Sequence, residues 1–583
     1  MAALRYSIPK EGQSLLPNKW DLIALFLIFG VIAGLTHAAG NMLGDYQVGD
    51  NIPISLELSI LPKYACLTTM RMCIALVASL IFTFTVGTLA AKNKQAEKVL
   101  LPLIDIMQSI PPLGLQSIVA VSIIALFSGS LLGPELVAIF LIFTAQVWNM
   151  TLSFYQSLKT VPKELIEVSR MYHLSNWQTF WRIEVPFAMP GLLWNTMISM
   201  SAGWFFVVEA EAISAYNQSI TLSGIGSFIN LANQQENYFA FGMAMLTMLL
   251  VILIYDQLLL RPLIAWSEKF YPELKDDSSE AEAWFLTLLQ RARLINYLYE
   301  VYSRFKERVS ILIRKKRKEK HKIKRNFHVN EKVMQIGVIF WNSFILVLLA
   351  YSVHEIYTII QSDISISELL HVFFLGGVTM LKIIILIFLA SIIWVPVGVV
   401  IGLNPKATAI AQPFIQFLAA VPAQLFYPII FILIINYQLN VEIWTTPLMI
   451  LGTQWYILFN VIAGVSAIPK ELKLAAKNYG VQGSLWWRRF ILPSIFPHYV
   501  TGAIAAAGGC WNATIVADVV SWGGKSFTAT GLGAYIRMAS EAEDLTRVVL
   551  GITVMCIYVL FLNRFFWKRL YLAAEERYSF TGY

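Results

Sequence analysis

Residues 162–186 read PKELIEVSRMYHLSNWQTFWRIEVP, and residues 469–493 read PKELKLAAKNYGVQGSLWWRRFILP. Both stretches open on Pro-Lys-Glu-Leu and close on a proline, 307 positions apart. Proline suits the first turn of a helix and stops the one before it. Each stretch therefore reads as one or two short helices between longer elements. Leu165, Val168 and Met171 in the first, and Leu472, Ala475 and Tyr479 in the second, give each an apolar face. A short helix with such a face wants a protein partner or lipid.

Working outward, the offset of 307 persists. Glu135 meets Glu442, Trp148 meets Trp455, Pro186 meets Pro493 and Pro190 meets Pro497. Trp204 meets Trp511, Glu211 meets Asp518, Gly224 meets Gly531 and Gly226 meets Gly533. Nearer the N-terminus the offset becomes 311, pairing Thr68 with Thr379, Arg71 with Lys382, Gly87 with Gly398, and Pro111 with Pro422. The change of four falls in a loop before Glu135, where insertions are tolerated. The chain is an internal duplication.

Composition says where the copies live. Of 583 residues 57% are hydrophobic and 14% charged, whereas soluble domains carry about 25% charged residues. A water-soluble enzyme, a disordered chain and a nucleic-acid binder are excluded on that ground. Apolar windows long enough to cross a bilayer fall near 20–39, 65–90, 103–128, 135–158, 188–212 and 238–264, then 334–360, 372–402, 414–436, 443–466, 494–519 and 546–567. The expected fold is an all-α polytopic membrane protein with about 12 transmembrane helices in two parallel six-helix repeats. Its domains are 1–265, a linker at 266–333, and 334–583. An even count per copy makes the repeat axis run along the membrane normal.

Charge orients the chain. Lys92, Lys94, Lys98, Lys159, Lys163, Arg170 and Arg182 lie in loops on one side, while 40–63 and 213–237 hold one lysine between them. The positive-inside rule puts the basic loops, and both termini, on the cytoplasmic side. The linker carries 17 Lys/Arg against 10 Asp/Glu, most of the net charge of +8. Within it 281–313 reads as an amphipathic helix, and Arg314–Arg325 as a basic run held near anionic headgroups. Cys66, Cys73, Cys510 and Cys556 form no CxxC pair, and the seven histidines no metal-ligand set. No metal site, no catalytic group and no nucleic-acid partner are expected.

The paired loops resemble a cytoplasmic motif of the permease subunits of bacterial binding-protein-dependent ABC importers: E-A-A, three residues, G, nine residues, I-x-L-P. Copy one has Glu167-Val168-Ser169, His173 at the glycine position and Ile183-Glu184-Val185-Pro186. Copy two has Leu474-Ala475-Ala476, Gly480 and Phe490-Ile491-Leu492-Pro493. Copy one keeps the acid and loses the glycine, and copy two does the reverse. A finer resemblance is to the nitrate/sulfonate/bicarbonate (taurine-type) branch. It rests on Thr68-x-x-Arg71, on Ala202-Gly203-Trp204 leading to Glu209 and Glu211, and on Ser223-Gly224-Ile225-Gly226 echoed by Gly531-Leu532-Gly533.

The resemblance implies the type I ABC importer permease fold. It also implies coupling helices that sit on two cytoplasmic ABC ATPase subunits through Glu164, Glu167, Arg170, His173, Glu471, Ala475, Ala476 and Gly480. ATP and Mg would be bound by those partners. Gly524-Lys525-Ser526 has Val519 where a phosphate-binding loop needs its first glycine. Substrate would arrive on an extracytoplasmic substrate-binding protein or lipoprotein. Ionisable residues in membrane segments are functional candidates by default. Arg71, Lys382, Trp204, Trp511, Glu209, Glu211 and Asp518 are therefore the expected pathway residues, the alternative being that the three acids pair with Arg71 and Lys382 in structural ion pairs. Glu135, Glu442, Gly224, Gly226, Gly531 and Gly533 are expected at the outer contact. The expected cargo is a small oxyanion of the nitrate, bicarbonate or sulfonate class. Ferric iron is an alternative within the class, and an ion-coupled secondary carrier one outside it.

Overall fold

The computed structural model describes residues 18–42, 53–267, 284–292 and 364–573, with gaps at 43, 111, 216–217, 523–524, 543 and 571, and isolated residues at 44 and between 343 and 358. The window at 334–360, the basic run Arg314–Arg325 and most of 281–313 lie outside the described residues. The described chain is helical apart from two short hairpins. Among the described residues seven helices are long and apolar enough to cross a membrane, or eight if a pair bent by 44° counts as one span.

Repeat one runs as follows: α1 (Lys19–Asn41), α2 (Leu61–Phe82), α3 (Lys94–Ser109), α4 (Pro112–Leu126), α5 (Leu132–Lys159), α6 (Lys163–Met171), α7 (Val185–Ala210), the hairpin β1 (Ala212–Ala215) and β2 (Gln218–Thr221), α8 (Ile225–Gln234) and α9 (Tyr238–Tyr255). The linker contributes α10 (Trp284–Arg291). Repeat two matches it: α11 (Ile366–Leu403), α12 (Pro405–Ala420), α13 (Tyr427–Tyr437), α14 (Gln454–Ser466), α15 (Lys470–Asn478), α16 (Leu492–Ala517), β3 (Val519–Trp522), β4 (Lys525–Thr528), α17 (Leu532–Glu541) and α18 (Leu545–Phe561).

The duplication extends to the helix caps. Asn93 accepts from the amides of Gln95 and Ala96 to start α3, and its counterpart Asn404 accepts from Lys406 and Ala407 to start α12. Asn237 caps α9 through the Ala240 amide, as Asp544 caps α18 through that of Arg547. Each such bond satisfies an amide that has no partner inside its helix.

The third window of each repeat is not one straight helix, as its hydropathy suggested. It breaks at Ile110 and at Val421, both in extended backbone. Each precedes a proline, whose ring disfavours helical backbone at the residue before it. The broken span lets each repeat reach the other. α3 and α4 pack on α18, α4 also packs on α16, and α12 packs on α7. Within a repeat the core is the pairing of α5 with α7, matched by α14 with α16. Trp194 of α7 meets Phe459 of α14 edge to face, 5.9 Å between ring centres, closing the seam between the copies.

α10 docks on the loop-side end of repeat one. Leu288 and Ala292 bury against Trp20. Trp284 Nε1 donates to Gln257 Oε1 at 3.0 Å, and Asn18 Nδ2 to the Arg291 carbonyl at 2.9 Å.

Candidate functional site: two outer nodes, two loop helices and an axial pair of cavities

At the end of repeat one away from α6, called the outer end below, Arg71 is fully buried. Its Nε and Nη2 donate to the two oxygens of Glu135, both at 2.7 Å, a bidentate pair. Nη1 donates to Glu211 Oε1 at 2.7 Å, and Nη2 also to the Ser223 carbonyl at 3.0 Å. Thr68, one turn earlier on α2, donates to the same Glu211 oxygen at 2.6 Å and accepts from the Ile225 amide at 3.0 Å. The other Glu211 oxygen accepts from the Gly226 amide at 2.6 Å. A side chain on Gly224 would overlap the Glu211 carboxylate, and one on Gly226 would come within 2.7 Å of the Val208 carbonyl. The two glycines let the backbone close over the acid. The node fastens α2, α5, α7 and α8 around one guanidinium.

The same positions meet in repeat two with different chemistry. Lys382 Nζ donates to Glu442 Oε2 at 3.1 Å and to the Thr530 carbonyl at 2.8 Å. It stands 3.8 Å from Asp518 Oδ1. Asp518 is fully buried, with the Ala534 and Gly533 amides turned toward it, but among the described residues its carboxylate makes no hydrogen bond of ordinary geometry. Thr379 accepts from the Leu532 amide at 2.9 Å, as Thr68 does from Ile225.

On the opposite ends of the repeats lie the loop helices. α6 and α15 start from Pro162 and Pro469 in the same backbone conformation. Both stop at a left-handed residue, His173 with φ 50° and Gly480 with φ 63°. In each, the next two amides fold back onto the helix. His173 and Leu174 bond the carbonyls of Arg170 and Ser169, and Gly480 and Val481 bond those of Lys477 and Ala476. Glycine is the usual residue in this turn because a Cβ is disfavoured there. Copy one builds the same turn on histidine. Glu164, Glu167, Arg170 and Glu471 are exposed, as are Met171, Tyr172, Leu474 and Tyr479. Ala475 and Ala476 are half-buried.

Among the described residues the two larger cavities between the repeats are lined from both copies. The deeper one, about 170 Å³, is lined by equivalent positions of both copies: Asn149 and Tyr456, Ser201 and Gly508, Phe205 and Asn512. It presents amides, hydroxyls and aromatic rings but no formal charge. The outer one, about 520 Å³, lies beyond the last turn of α7, at the end away from α6. It too is lined in pairs, among them Leu113 with Gln424, Gln116 with Tyr427, and Asn230 with Arg537. Lining by equivalent positions places both on the axis relating the copies.

Of the seven residues expected on the pathway, Trp511 lines the deeper cavity and Glu209 the outer one. Arg71, Lys382, Glu211 and Asp518 line neither of these cavities, being taken up in the two nodes. Trp204 lines neither, packed edge to face on Tyr255 at 5.7 Å. Glu135, Gly224, Gly226, Gly531 and Gly533 are buried in the nodes, while Glu442 remains partly exposed. Sequence reasoning missed Arg537, which reaches Glu209 from repeat two. The signal available was its mismatch with Asn230 at the equivalent position.

Comparison with known proteins fits this double architecture. The family model described as binding-protein-dependent transport system inner membrane component matches twice, at residues 83–261 and 394–577. A bicarbonate transport system permease protein of Synechococcus elongatus is 28% identical over 177 residues, covering 30% of this chain and 60% of that protein. The taurine transport system permease protein of Escherichia coli is 26% identical over 184 residues, 31% of this chain and 62% of that one. A nitrate import permease protein of Synechocystis is 27% identical over 192 residues, 33% and 61% respectively. The chain thus spans about three fifths of the length of these relatives, and each alignment takes in about a third of it. With both copies matched, about 12 helices and the type I permease fold, this integral membrane protein belongs to the family of binding-protein-dependent transport system inner membrane components.

Proposed function

We propose that the chain is the fused transmembrane subunit of an ATP-driven importer, moving a small oxyanion of the nitrate, bicarbonate or sulfonate class inward by alternating access. The observation that carries this reading is the pair of loop helices. Two diverged sequences keep one backbone turn and expose apolar and charged side chains on it, which fits two copies of one partner surface. Two ATPase subunits would seat on α6 and α15, with ATP and Mg bound on those partners. Glu164, Glu167, Arg170 and His173 would make the contact in one copy, and Glu471, Ala475, Ala476 and Gly480 in the other. The basic loops, the linker and both termini would face the cytoplasm. A substrate-binding protein would deliver cargo to the opposite face, near Glu442 and the hairpins. The route would pass the outer cavity at Glu209 and the deeper one at Trp511.

The relatives that transport bicarbonate, taurine and nitrate support the oxyanion class. The test is co-purification from its own host of the tagged full chain in mild detergent. The expected result is an ATPase subunit in about two copies per chain, released by Glu167→Trp and Gly480→Trp. Intact chain without any ATPase, or variants that hold the ATPase and sustain normal uptake, would sink the reading.

A further inference from the structure

The outer cavity is symmetric in position and asymmetric in charge. Glu209 stands opposite Val516, Arg537 opposite Asn230, and Glu541 opposite Gln234, and all six line it. Arg537 Nη1 lies 3.3 Å from Glu209 Oε2, and its Nε donates to Glu541 Oε1 at 2.7 Å. The first of these crosses the axis and ties the copies together. Lys525 at the rim brings the lining to two acids and two bases.

Among the described residues, lining side chains also carry buried polar atoms without a hydrogen-bond partner. Gln424 Oε1, the Tyr427 hydroxyl and Trp522 Nε1 are such atoms, on side chains more than nine-tenths buried. Gln424 has already committed its Nε2 to the Phe205 carbonyl at 2.9 Å. What remains is an acceptor on Gln424, a donor on Trp522 and a group of either kind on Tyr427. Buried groups of this kind are normally satisfied, by protein, water or ligand.

A bare oxyanion suits only half of this lining. It would take Arg537 and the Trp522 donor, and would leave the Glu209 carboxylate beside it without its cation. A ligand carrying an oxyanion and an ammonium group a few bonds apart suits all of it. The oxyanion replaces Glu209 on Arg537, and the ammonium replaces Arg537 on Glu209 and reaches the Gln424 acceptor. The exchange breaks one charge pair and makes two, while removing the tie across the axis.

We infer that the outer cavity is a substrate subsite for small zwitterions with a terminal oxyanion, which bind by exchanging themselves for the Glu209–Arg537 pair. This narrows the oxyanion class and rests on the transport reading for its use, although binding is measured without any partner. The experiment is thermal unfolding of the purified full chain in lipid nanodiscs. It is titrated with 2-aminoethanesulfonate, with ethanesulfonate, which lacks the ammonium, and with ethylammonium, which lacks the oxyanion.

The expected result is a rise in midpoint with 2-aminoethanesulfonate at concentrations where the two fragments give none. Glu209→Gln should weaken the zwitterion by roughly tenfold or more, the loss of one charge-assisted contact. Arg537→Gln should abolish the response. Gln424→Leu, which copies the equivalent Leu113 and leaves every charge in place, should weaken the zwitterion several-fold, and stays informative if either charge variant fails to fold. The inference is overturned if ethanesulfonate or nitrate raises the midpoint as much as the zwitterion. It is equally overturned if Glu209→Gln leaves the ranking unchanged, or if none of the probes acts on the intact chain. Retention of the ATPase in co-purification alongside that result would leave the transport reading standing without this subsite.

Discussion

The two outer nodes occupy equivalent positions and hold their charges differently. In repeat one an arginine is enclosed by two carboxylates, one of them braced by a threonine, and a carbonyl, with every bond at 3.0 Å or less. In repeat two a lysine makes two bonds, and its third neighbour, Asp518, stands off at 3.8 Å. A planar guanidinium can serve two carboxylates at once, and an ammonium on a flexible stem cannot match that geometry. Repeat two adds a tie of its own. Arg547 donates to Glu368 at 2.7 Å, pairs with Asp544, and is joined on Glu368 by the Tyr535 hydroxyl at 3.0 Å. The equivalent of Arg547 in repeat one is Ala240. The duplication preserved the task of fastening the outer hairpin and moved part of the fastening from the buried node to the helix ends.

The comparison breaks most visibly at the cations. Arg71→Met strands Glu135 and Glu211 without a counter-charge, and removing one partner of a buried pair costs about 3–5 kcal/mol. Lys382→Met loses fewer bonds at a partly exposed edge, about 1–2 kcal/mol. The unfolding midpoint in nanodiscs should fall far more for the first variant. Equal losses would mean that the nodes are energetically alike despite their geometry.

The glycines should behave in the opposite way, alike in both copies. Gly226→Ala pushes a methyl to 2.7 Å from the Val208 carbonyl, and Gly533→Ala drives one into the Thr514 backbone. Overpacking against rigid backbone costs about 1–3 kcal/mol, so both midpoints should drop by similar amounts. A tolerant Gly533 would show that the looser node also has a looser backbone.

Much of this was legible because duplication writes each constraint twice. The offsets paired Thr68 with Thr379, Arg71 with Lys382 and Glu211 with Asp518, and these are the residues that meet in the nodes. That these acids could pair with these cations was legible; that they do so in buried nodes away from the two axial cavities was not. A membrane cation reads the same whether it faces a pathway or a carboxylate, and the deciding distances join residues 64 and 140 positions apart. The hairpins went unread because Ala212–Ala215 and Val519–Trp522 continue the apolar run of the preceding helix. The breaks at Ile110 and Val421 were signalled by Pro111 and Pro422, but hydropathy windows average across them.

The loop helices offer a smaller, signed test. Gly480→Ala places a Cβ at φ 63°, which costs about 1 kcal/mol. His173→Gly should stabilise the matching turn by a similar or smaller amount, because histidine already bears that strain. Amide exchange of Leu174 and Val481, whose amides close the two turns, should quicken in the first variant and slow in the second. Movement of both in the same direction would mean that the turns are held by the surrounding chain and not by their own backbone.

The smallest expected effect concerns a clamp that only repeat one has. On the loop side Glu97 accepts from Lys159 Nζ at 2.7 Å and from the Tyr155 hydroxyl at 2.6 Å, joining α3 to α5. The equivalents in repeat two are Thr408, Ser466 and Ile462, which cannot form it. The Lys159 and Tyr155 hydrogen bonds hold the Glu97 carboxyl below its ordinary value of 4.5. A group whose folded value is depressed stabilises the fold above its unfolded value and loses that contribution as pH falls through the folded one. Glu97→Gln should therefore unfold slightly earlier than the parent at pH 7. The gap should close as pH drops below 4.5, where the parent's own carboxyl protonates. The clamp is solvent-exposed, so the gap at pH 7 should also shrink in high salt. A gap that persists unchanged into acid would assign the effect to packing of the Glu97 stem, and the charge asymmetry between the loop-side ends of the repeats would then carry no stability.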